Sequence, residues 1–316
     1  MAVLVTGGAG YIGSHVARLL GDQAVIVDDL SAGLTERISG KPLLNLDLAS
    51  EAAVPRLIEF IREHDVQAVV HLAAKKKVGE SVEQPELYFR QNIGGLANLL
   101  EAMRITNVQR LVFSSSAATY GIPNVDSVSE DQDCRPINPY GETKLVGEWM
   151  CRDAGKAWGL RHANLRYFNV AGAGWPDLAD TAVANLIPIV FAALKANQRP
   201  VVFGDSYPTA DGSCVRDYVH VLDLADAHLA ALDYLDSETR EFDTFNVGSG
   251  LGHSVFEVLN VIREVTGINF EAEVLDGRPG DPAFLCANTE RINKVLGWST
   301  DRDLREIVGS AWSALG

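Results

Sequence analysis

Tyr140 and Lys144 stand four residues apart, the spacing that sets two side chains on one face of a helix. Ser116 closes a second segment, in which the apolar Leu111-Val112-Phe113 runs into Ser114-Ser115-Ser116. A phenol, an ammonium and a hydroxyl in this relation can take the proton from a substrate hydroxyl group. Tyrosine ionises near ~10, so acting as a base near neutrality asks for a shift of roughly 3 units, about 4 kcal/mol. Lys144 and the positive end of a helix both act in that direction. Asn138 is a suitable N-cap and Pro139 a suitable first helical residue, which puts Tyr140 in the first turn. Ser116, at the carboxyl end of a strand, is placed to hydrogen-bond the same substrate oxygen. A hydroxyl proton leaves usefully when the neighbouring C–H departs as hydride, and hydride needs an acceptor.

Thr6-Gly7-Gly8-Ala9-Gly10-Tyr11-Ile12-Gly13 points to that acceptor. It follows the apolar Ala2-Val3-Leu4-Val5 and reads as a strand, a glycine turn and a helix opening. Gly7, Gly10 and Gly13 allow a tight turn, approach of a pyrophosphate to bare backbone, and close packing of the helix on the sheet. The helix start then faces an anion. A second apolar run, Ala24-Val25-Ile26-Val27, ends in Asp28-Asp29. An acid there accepts hydrogen bonds from ribose hydroxyls and repels a 2′-phosphate, so the cofactor is expected to be NAD rather than NADP.

The elements that position these groups recur along the chain. Short apolar runs at Leu43 to Leu46, Ala68 to Leu72, Leu111 to Phe113 and Ala163 to Arg166 alternate with helical patterns at Val54 to Glu63, Pro85 to Met103 and Pro139 to Trp158. Such alternation specifies an α/β, Rossmann-type, doubly wound parallel sheet with ligands at the carboxyl ends of its strands. After about Gly172 the regularity loosens. A helix near Asn185 to Ala196 and short strands around Val201 to Phe203 and Tyr218 to Val221 suit a smaller mixed α/β C-terminal substrate lobe. The expected division is residues 1–172, with about 213–236 returning to them, and residues 173–316.

The 316 residues carry a formal net charge of −15, which disfavours nucleic acid and anionic membranes as partners. An anionic small substrate is compatible where local arginines or helix N-termini work against that field. Cys134, Cys151, Cys214 and Cys286 lie far apart, without CxxC or zinc spacing, so they are expected to be reduced thiols and no metal site is expected. No signal peptide or membrane-length apolar run is evident, and a cytoplasmic enzyme is the expectation.

Several longer stretches carry a resemblance. They are Gly7 to His15, Val78-Gly79-Glu80-Ser81, Ser114-Ser115-Ser116, Asn138-Pro139-Tyr140-Gly141 and Leu165-Arg166-Tyr167-Phe168-Asn169. Most discriminating is Phe203-Gly204-Asp205-Ser206-Tyr207-Pro208-Thr209-Ala210-Asp211-Gly212, continuing from Cys214 to His220. Together they resemble the extended short-chain dehydrogenase/reductase family, and within it the branch of UDP-glucose 4-epimerases, over nearly the whole chain.

The resemblance implies roles residue by residue. Tyr140 matches the catalytic base, Lys144 the lysine that binds the nicotinamide ribose and lowers the tyrosine's pKa, and Ser116 the serine that assists proton transfer. Gly7, Gly10, Tyr11, Ile12, Gly13, Asp28, Asp29, Asp47, Leu48, Leu72, Ala73, Ala74, Lys76, Asn92, Ser114 and Phe168 fall where the family holds NAD. Asn169, Asn185, Leu186, Val201, Phe203, Arg216, Arg278, Asp281 and Leu285 fall where it holds the UDP-sugar. Arg216 and Arg278 suit a diphosphate by forked hydrogen bonds, and Val201 and Phe203 offer uracil an apolar surface.

The implied reaction interconverts UDP-galactose and UDP-glucose through a 4-keto sugar, in a homodimer formed by the helices at Pro85–Met103 and Pro139–Trp158. Nucleotide-sugar 4,6-dehydratases and decarboxylases share the first oxidation but add an acidic residue after the strand-end serine, where this chain has Ala117-Ala118. A non-catalytic NAD-sensing protein of this fold would usually have lost the tyrosine or the lysine, and both are present. The chain departs from the family in a short Ala171–Ala184 segment lacking the usual Gly-Glu-Asp-Pro run, and in the basic Lys75-Lys76-Lys77. Leu285 aligns near a position whose size governs access of N-acetylated sugars, and its intermediate size implies a preference for UDP-glucose and UDP-galactose.

Overall fold

A computed structural model describes residues 2–237, 242–278 and 280–316. In chain order its strands are β1 (Ala2–Thr6), β2 (Ala24–Asp28), β3 (Leu43–Asn45), β4 (Val66–His71), β5 (Arg110–Ser116), β6 (Ser127–Val128) and β7 (Arg161–Tyr167). There follow β8 (Asn169–Ala171), β9 (Val201–Phe203), β10 (Val215–His220), β11 (Phe242–Val247), β12 (Gly252–Ser254), β13 (Glu273–Leu275) and β14 (Phe284–Ala287).

The chain divides into two compact units. The first comprises Met1–Gly121, Cys134–Arg166 and Ala225–Phe245, and the second Ile122–Asp133, Tyr167–Leu224 and Asn246–Gly316. This differs from the sequence expectation in detail. Residues 122–133 and 167–172 belong to the second unit, and the returning segment is 225–245 rather than about 213–236. Short pairings explain the first two differences: β6 pairs with β14, and β8 with β10.

The first unit is built on a seven-stranded sheet in the order β11-β7-β5-β4-β1-β2-β3. Pairings of β1 with β2 and β4, of β2 with β3 and of β4 with β5 are parallel. Val3, Leu4, Val5, Val69, Val70, Leu111 and Val112 are at most 1% exposed, as expected of strands covered on both faces. Leu57 of the helix Ala53–Glu63 and Leu99 and Met103 of the helix Gly95–Thr106 join Leu4, Val69 and Leu111 in one core. The strand order reverses between β1 and β4, so the carboxyl ends of these two strands form the switch point where such sheets bind ligands. Gly7 and Leu72 follow those ends, where the Leu72 N–H donates to the Thr6 carbonyl at 3.0 Å.

The expected helix at Pro85 to Met103 is interrupted. Pro85–Tyr88 is α-helical, Phe89–Gly94 is a π turn, and Gly95–Thr106 resumes the α-helix. Hydrophobic spacing cannot report the extra residue that a π turn accommodates. Within it Asn92 is buried and fully engaged: its Oδ1 accepts from Lys75 N at 2.8 Å, and its Nδ2 donates to Lys75 O at 3.1 Å and Thr143 Oγ1 at 2.9 Å.

The second unit holds a sheet ordered β12-β10-β14-β6 with β8 beside β10, and a separate pair of β9 and β13. Its core gathers Ile187, Val190 and Phe191 of the helix Leu186–Lys195, Val258, Leu259 and Ile262 of Val255–Thr266, and Leu304, Ile307 and Val308 of Leu304–Ser313.

Two buried histidines in the first unit make stability depend on pH. His71, hydrogen-bonded through Nδ1 to Thr6 Oγ1 at 2.7 Å, is pushed down to about 3 by burial and then by Lys144. His162 is pushed down to about 4 by burial. Both take up a proton on unfolding at a pH where the folded chain refuses it, so their stabilisation is complete above ~6.5 and is lost as pH falls. We expect each to cost about 2 kcal/mol between pH 7 and pH 5. Urea midpoints at the two pH values, with His71→Asn flattening the dependence, provide the check; equal midpoints would contradict it.

Candidate active site

The helix Pro139–Trp158 begins as its sequence dictates. Asn138 Oδ1 caps it by accepting from Gly141 N at 2.9 Å, and Pro139 occupies the first turn. Two glycines let this helix lie unusually close to β5 and the turn after it. A Cβ on Gly141 would stand 2.6 Å from the Ala118 carbonyl oxygen, and one on Gly147 would stand 2.4 Å from the Phe113 ring. Glycine in a helix interior costs roughly 1 kcal/mol relative to alanine, so these positions are held by the contact.

That approach brings Tyr140, Lys144 and Ser116 together. The Ser116 hydroxyl is hydrogen-bonded to the Tyr140 phenol, and Ser116 Oγ also accepts from Ala118 N at 3.2 Å, capping the short turn Ala117–Tyr120. Lys144 Nζ donates to the Ser114 carbonyl at 2.7 Å and lies 5.9 Å from the Tyr140 ring centroid. Burial lowers Lys144 to about 8, with Glu148 opposing the change.

The electrostatics differ from the sequence expectation at Tyr140. Burial raises its pKa, and the Ser116 hydrogen bond only partly opposes that rise. Sequence spacing predicted the lysine and the helix end but not the dehydration of the phenol, which is the largest influence on Tyr140 here.

At the switch point the first helix, Tyr11–Leu19, has Gly10 as its N-cap, and no side chain caps it. Gly7 adopts φ +70°, and a Cβ there would meet Ala73 N at 2.7 Å. A Cβ on Gly13 would lie 2.1 Å from the Gly7 carbonyl oxygen, so this glycine packs the helix onto its own turn. Gly8, which the sequence pattern passed over, faces a side chain rather than backbone: a Cβ there would meet Ile26 Cδ1 at 2.7 Å. Bare backbone at an uncapped helix start fits a pyrophosphate. Asp28 is buried at the end of β2, its two carboxylate oxygens accepting from Ala9 N at 3.0 Å and Leu30 N at 2.9 Å. Burial raises its pKa and the two N–H groups lower it. Asp29 is turned away: its Oδ1 accepts from Ser31 N and Ser31 Oγ, at 2.9 and 2.7 Å, on the exposed side.

The remaining dinucleotide candidates sit on segments braced from behind. Asp47 Oδ1 accepts from Ala49 N at 2.9 Å, and the Leu48 carbonyl accepts from Asn98 Nδ2 at 2.7 Å. Ala73 N donates to Thr6 Oγ1 at 3.4 Å. Ala74 is half-buried and Lys76 is exposed, while the Lys75 backbone is held by Asn92. Tyr88 braces the next residue, accepting from Lys77 N at 2.8 Å. Phe168 lies in the second unit, buried, with its N–H on the Val247 carbonyl at 3.1 Å.

The second unit carries the candidate nucleotide-sugar residues, and contacts join some of them in pairs. Arg216 of β10 donates to Val215 O and Pro282 O, both at 2.8 Å, and to Asp281 Oδ1 at 3.0 Å, leaving its remaining N–H groups for an anion. The Arg278 guanidinium lies 3.9 Å from the Phe203 ring centroid. Val201 and Phe203 are half-buried on β9, Leu285 of β14 is in register with Arg216, and Asn169 hydrogen-bonds Tyr218. Asn185 is the N-cap of Leu186–Lys195, its side chain unused for capping. Among the described residues no group of His, Cys, Asp and Glu could hold a metal ion.

Sequence reasoning missed the groups that hold these in place: Gly8, Gly141, Gly147, His71, Glu148 and Arg166. The mid-helix glycines were the one available signal. The glycine turn has a direct test. Gly13→Ala should leave the fold intact but reduce the NAD(H) that co-purifies with the protein to below one-tenth, read from the absorbance released on denaturation; full NAD(H) content would contradict the close packing described.

The NAD dependent epimerase/dehydratase family model matches residues 3–248. The UDP-glucose 4-epimerase of Azospirillum brasilense is 46% identical, covering 98% of this chain and 91% of its own length. The crystal structure of UDP-glucose 4-epimerase from Brucella ovis in complex with NAD superimposes with a TM-score of 0.93 at 40% identity, covering 98% of this chain and 97% of that one. That of the enzyme from Stenotrophomonas maltophila, with bound NAD and formylated UDP-arabinopyranose, gives a TM-score of 0.93 at 39% identity, covering 99% and 97%. With catalytic-type residues, a dinucleotide turn and full-length relatives in agreement, the chain belongs to the NAD dependent epimerase/dehydratase family, in the branch of its UDP-glucose 4-epimerases.

Proposed function

We propose that this protein interconverts UDP-galactose and UDP-glucose by NAD-dependent inversion at C4, with Tyr140 as base. The observation that carries the reading is the joint between β5 and the helix Pro139–Trp158, which sets Ser116, Tyr140 and Lys144 together in the unit that bears the glycine turn. The turn after β5, Ala117–Tyr120, carries no carboxylate, so the acid–base step of a 4,6-dehydratase lacks its group there.

A carbon bearing a hydroxyl cannot be inverted by simple deprotonation, because its C–H bond is not acidic. NAD, when bound, supplies the acceptor that takes the C4 hydrogen as hydride and later returns it. Gly7, Gly10 and Gly13 would hold its pyrophosphate, Asp28 its adenosine ribose and Lys144 its nicotinamide ribose. Tyr140 takes the C4 hydroxyl proton as the ketone forms and gives it back as the ketone is reduced; Ser116, bonded to the phenol, orients that transfer. Burial raises the Tyr140 pKa further from neutrality. Ionising it therefore depends on positive charge beside it, of which Lys144 is the part the chain itself provides. Arg216 and Arg278 anchor the diphosphate and Phe203 the base, while the sugar must be free to present its other face. Leu285, beside Arg216, leaves less room for an N-acetyl group than a small residue would, which favours UDP-glucose and UDP-galactose.

The same reading includes a homodimer through the segments Pro85–Met103 and Pro139–Trp158; the helix Gly95–Thr106, which continues the first, packs on the second. Trp149, Ile105 and Phe89 are 47%, 42% and 38% exposed on or next to them, an apolar surface that a second copy would cover. Among the described residues no helix is long and apolar enough to cross a membrane, which suits a cytoplasmic enzyme.

Supplied with UDP-galactose and no added NAD, the purified protein should form UDP-glucose, detected with a coupled dehydrogenase. Tyr140→Phe should lower kcat at least a thousandfold; wild-type turnover in that variant would overturn the mechanism. Sedimentation should give twice the 34.2 kDa chain mass, and Trp149→Asp should give the single-chain mass; a wild-type monomer would contradict the dimer.

A further inference from the structure

Three consecutive serines at the end of β5 are laced to three residues spaced one turn apart on the facing helix. Ser116 bonds Tyr140, the Ser114 carbonyl accepts from Lys144, and Ser115 Oγ donates to Glu148 Oε1. The first two bonds involve the reacting groups. The third involves a carboxylate that the reaction as described does not use, though it is 6% exposed and lies one helical turn beyond Lys144. Burying a carboxylate is expensive unless it is paired. Here the pairing is complete: Arg166 of β7, also 6% exposed, donates through Nε to Glu148 Oε1 at 2.9 Å and through Nη2 to Oε2 at 2.7 Å. Arg166 Nη1 in turn donates to Tyr120 Oη at 2.9 Å, at the end of the turn that Ser116 caps. A closed polar frame therefore runs from β7 through the helix to β5 and its turn, immediately behind the reacting face.

We propose that Glu148, clamped by Arg166, is a positioning residue for the epimerisation: it locks the register of the helix against β5 so that Tyr140 meets Ser116, and it supplies the counter-charge of Lys144. This rests on the 4-epimerase reading above. Tyr140, Lys144 and Glu148 share one helix stripe, and a forked Arg–carboxylate pair fixes both distance and angle where a single hydrogen bond would not. The charged and titratable groups facing Lys144 are Glu148 and Tyr140 on its own helix and His71 of β4; those facing Glu148 are Lys144, Cys151 and Arg166, with Tyr120 and Cys134 beyond the arginine. Burial disfavours the ammonium and Glu148 favours it, so removing the negative charge lets Lys144 lose its proton at a lower pH.

The test uses the enzyme as purified with its NAD, assayed with UDP-galactose. Removing one partner of a buried pair strands the other, so the informative variant replaces both, Glu148→Gln with Arg166→Met. It should fold, shown by a cooperative melt and near-normal NAD content. Its KM should change less than threefold, its kcat should fall at least tenfold, and the alkaline limb of its kcat profile should move to lower pH. Ser115→Ala removes only one hydroxyl and tests the lacing without disturbing the ion pair; kcat should fall about fivefold at unchanged KM and with an unmoved alkaline limb. If the double variant does not fold, the serine variant decides. Wild-type kcat in Ser115→Ala, or in a folded double variant with an unmoved alkaline limb, would overturn the proposal while leaving the 4-epimerase reading intact. A wild-type protein unable to convert UDP-galactose would overturn both.

Discussion

The arrangement of Ser116, Tyr140 and Lys144 in the first unit depends on how closely one helix approaches one strand. The helix Pro139–Trp158 lies against β5 and its following turn at a distance only glycine permits, at Gly141 over the Ala118 carbonyl and at Gly147 over the Phe113 ring. An ordinary side chain at either place would push the helix outward and separate Tyr140 from Ser116. The close approach is what allows backbone and hydroxyl groups of Ser114, Ser115 and Ser116 to reach the helix directly. Phe113 then has packing on both sides, with the helix on one and His71 stacked 5.9 Å away on the other.

The same closeness sets the electrostatics. Excluding water from the joint raises Tyr140 and lowers Lys144, so the protein by itself favours a neutral phenol beside a lysine that is easily discharged. Both tendencies work against a base near neutrality. They are the consequence of a dry site, in which each charge counts for more than it would in water. Polar groups elsewhere are spent on geometry: Asn92 holds the Lys75 backbone, Asp28 the glycine loop, and Asp217 in the second unit accepts from Ser249 N, Gly250 N and Ala287 N beside Arg216. Burial raises Asp217, and its accumulated hydrogen bonds oppose the rise.

Local signals made part of this legible from the residues alone. The glycine turn, the alternating apolar runs and the Asn138-Pro139 helix start act over a few residues, and the elements they indicate are present. What escaped was decided by tertiary contact. The π turn at Phe89–Gly94 contains the buried Asn92, and no hydrophobic period records either. The assignment of 122–133 and 167–172 to the second unit depends on two- and three-residue pairings. Asp28 and Asp29 look alike in sequence, yet one is buried against the glycine loop and the other is closed on Ser31. Glu148 and Arg166 read as ordinary helix and strand charges until the fold puts them within hydrogen-bond reach. The Tyr140 pKa moves opposite to the direction that Lys144 and the helix end suggested, because burial is a property of the folded chain.

In the proposed reaction C4 loses and regains the same hydrogen within one site. It is tested most directly by converting UDP-galactose carrying deuterium at C4, mixed with unlabelled substrate, in ordinary water. UDP-glucose should retain the deuterium at C4 of the molecule that carried it, with no wash-out to solvent. Loss of the label to water, or its transfer to molecules that began unlabelled, would contradict it.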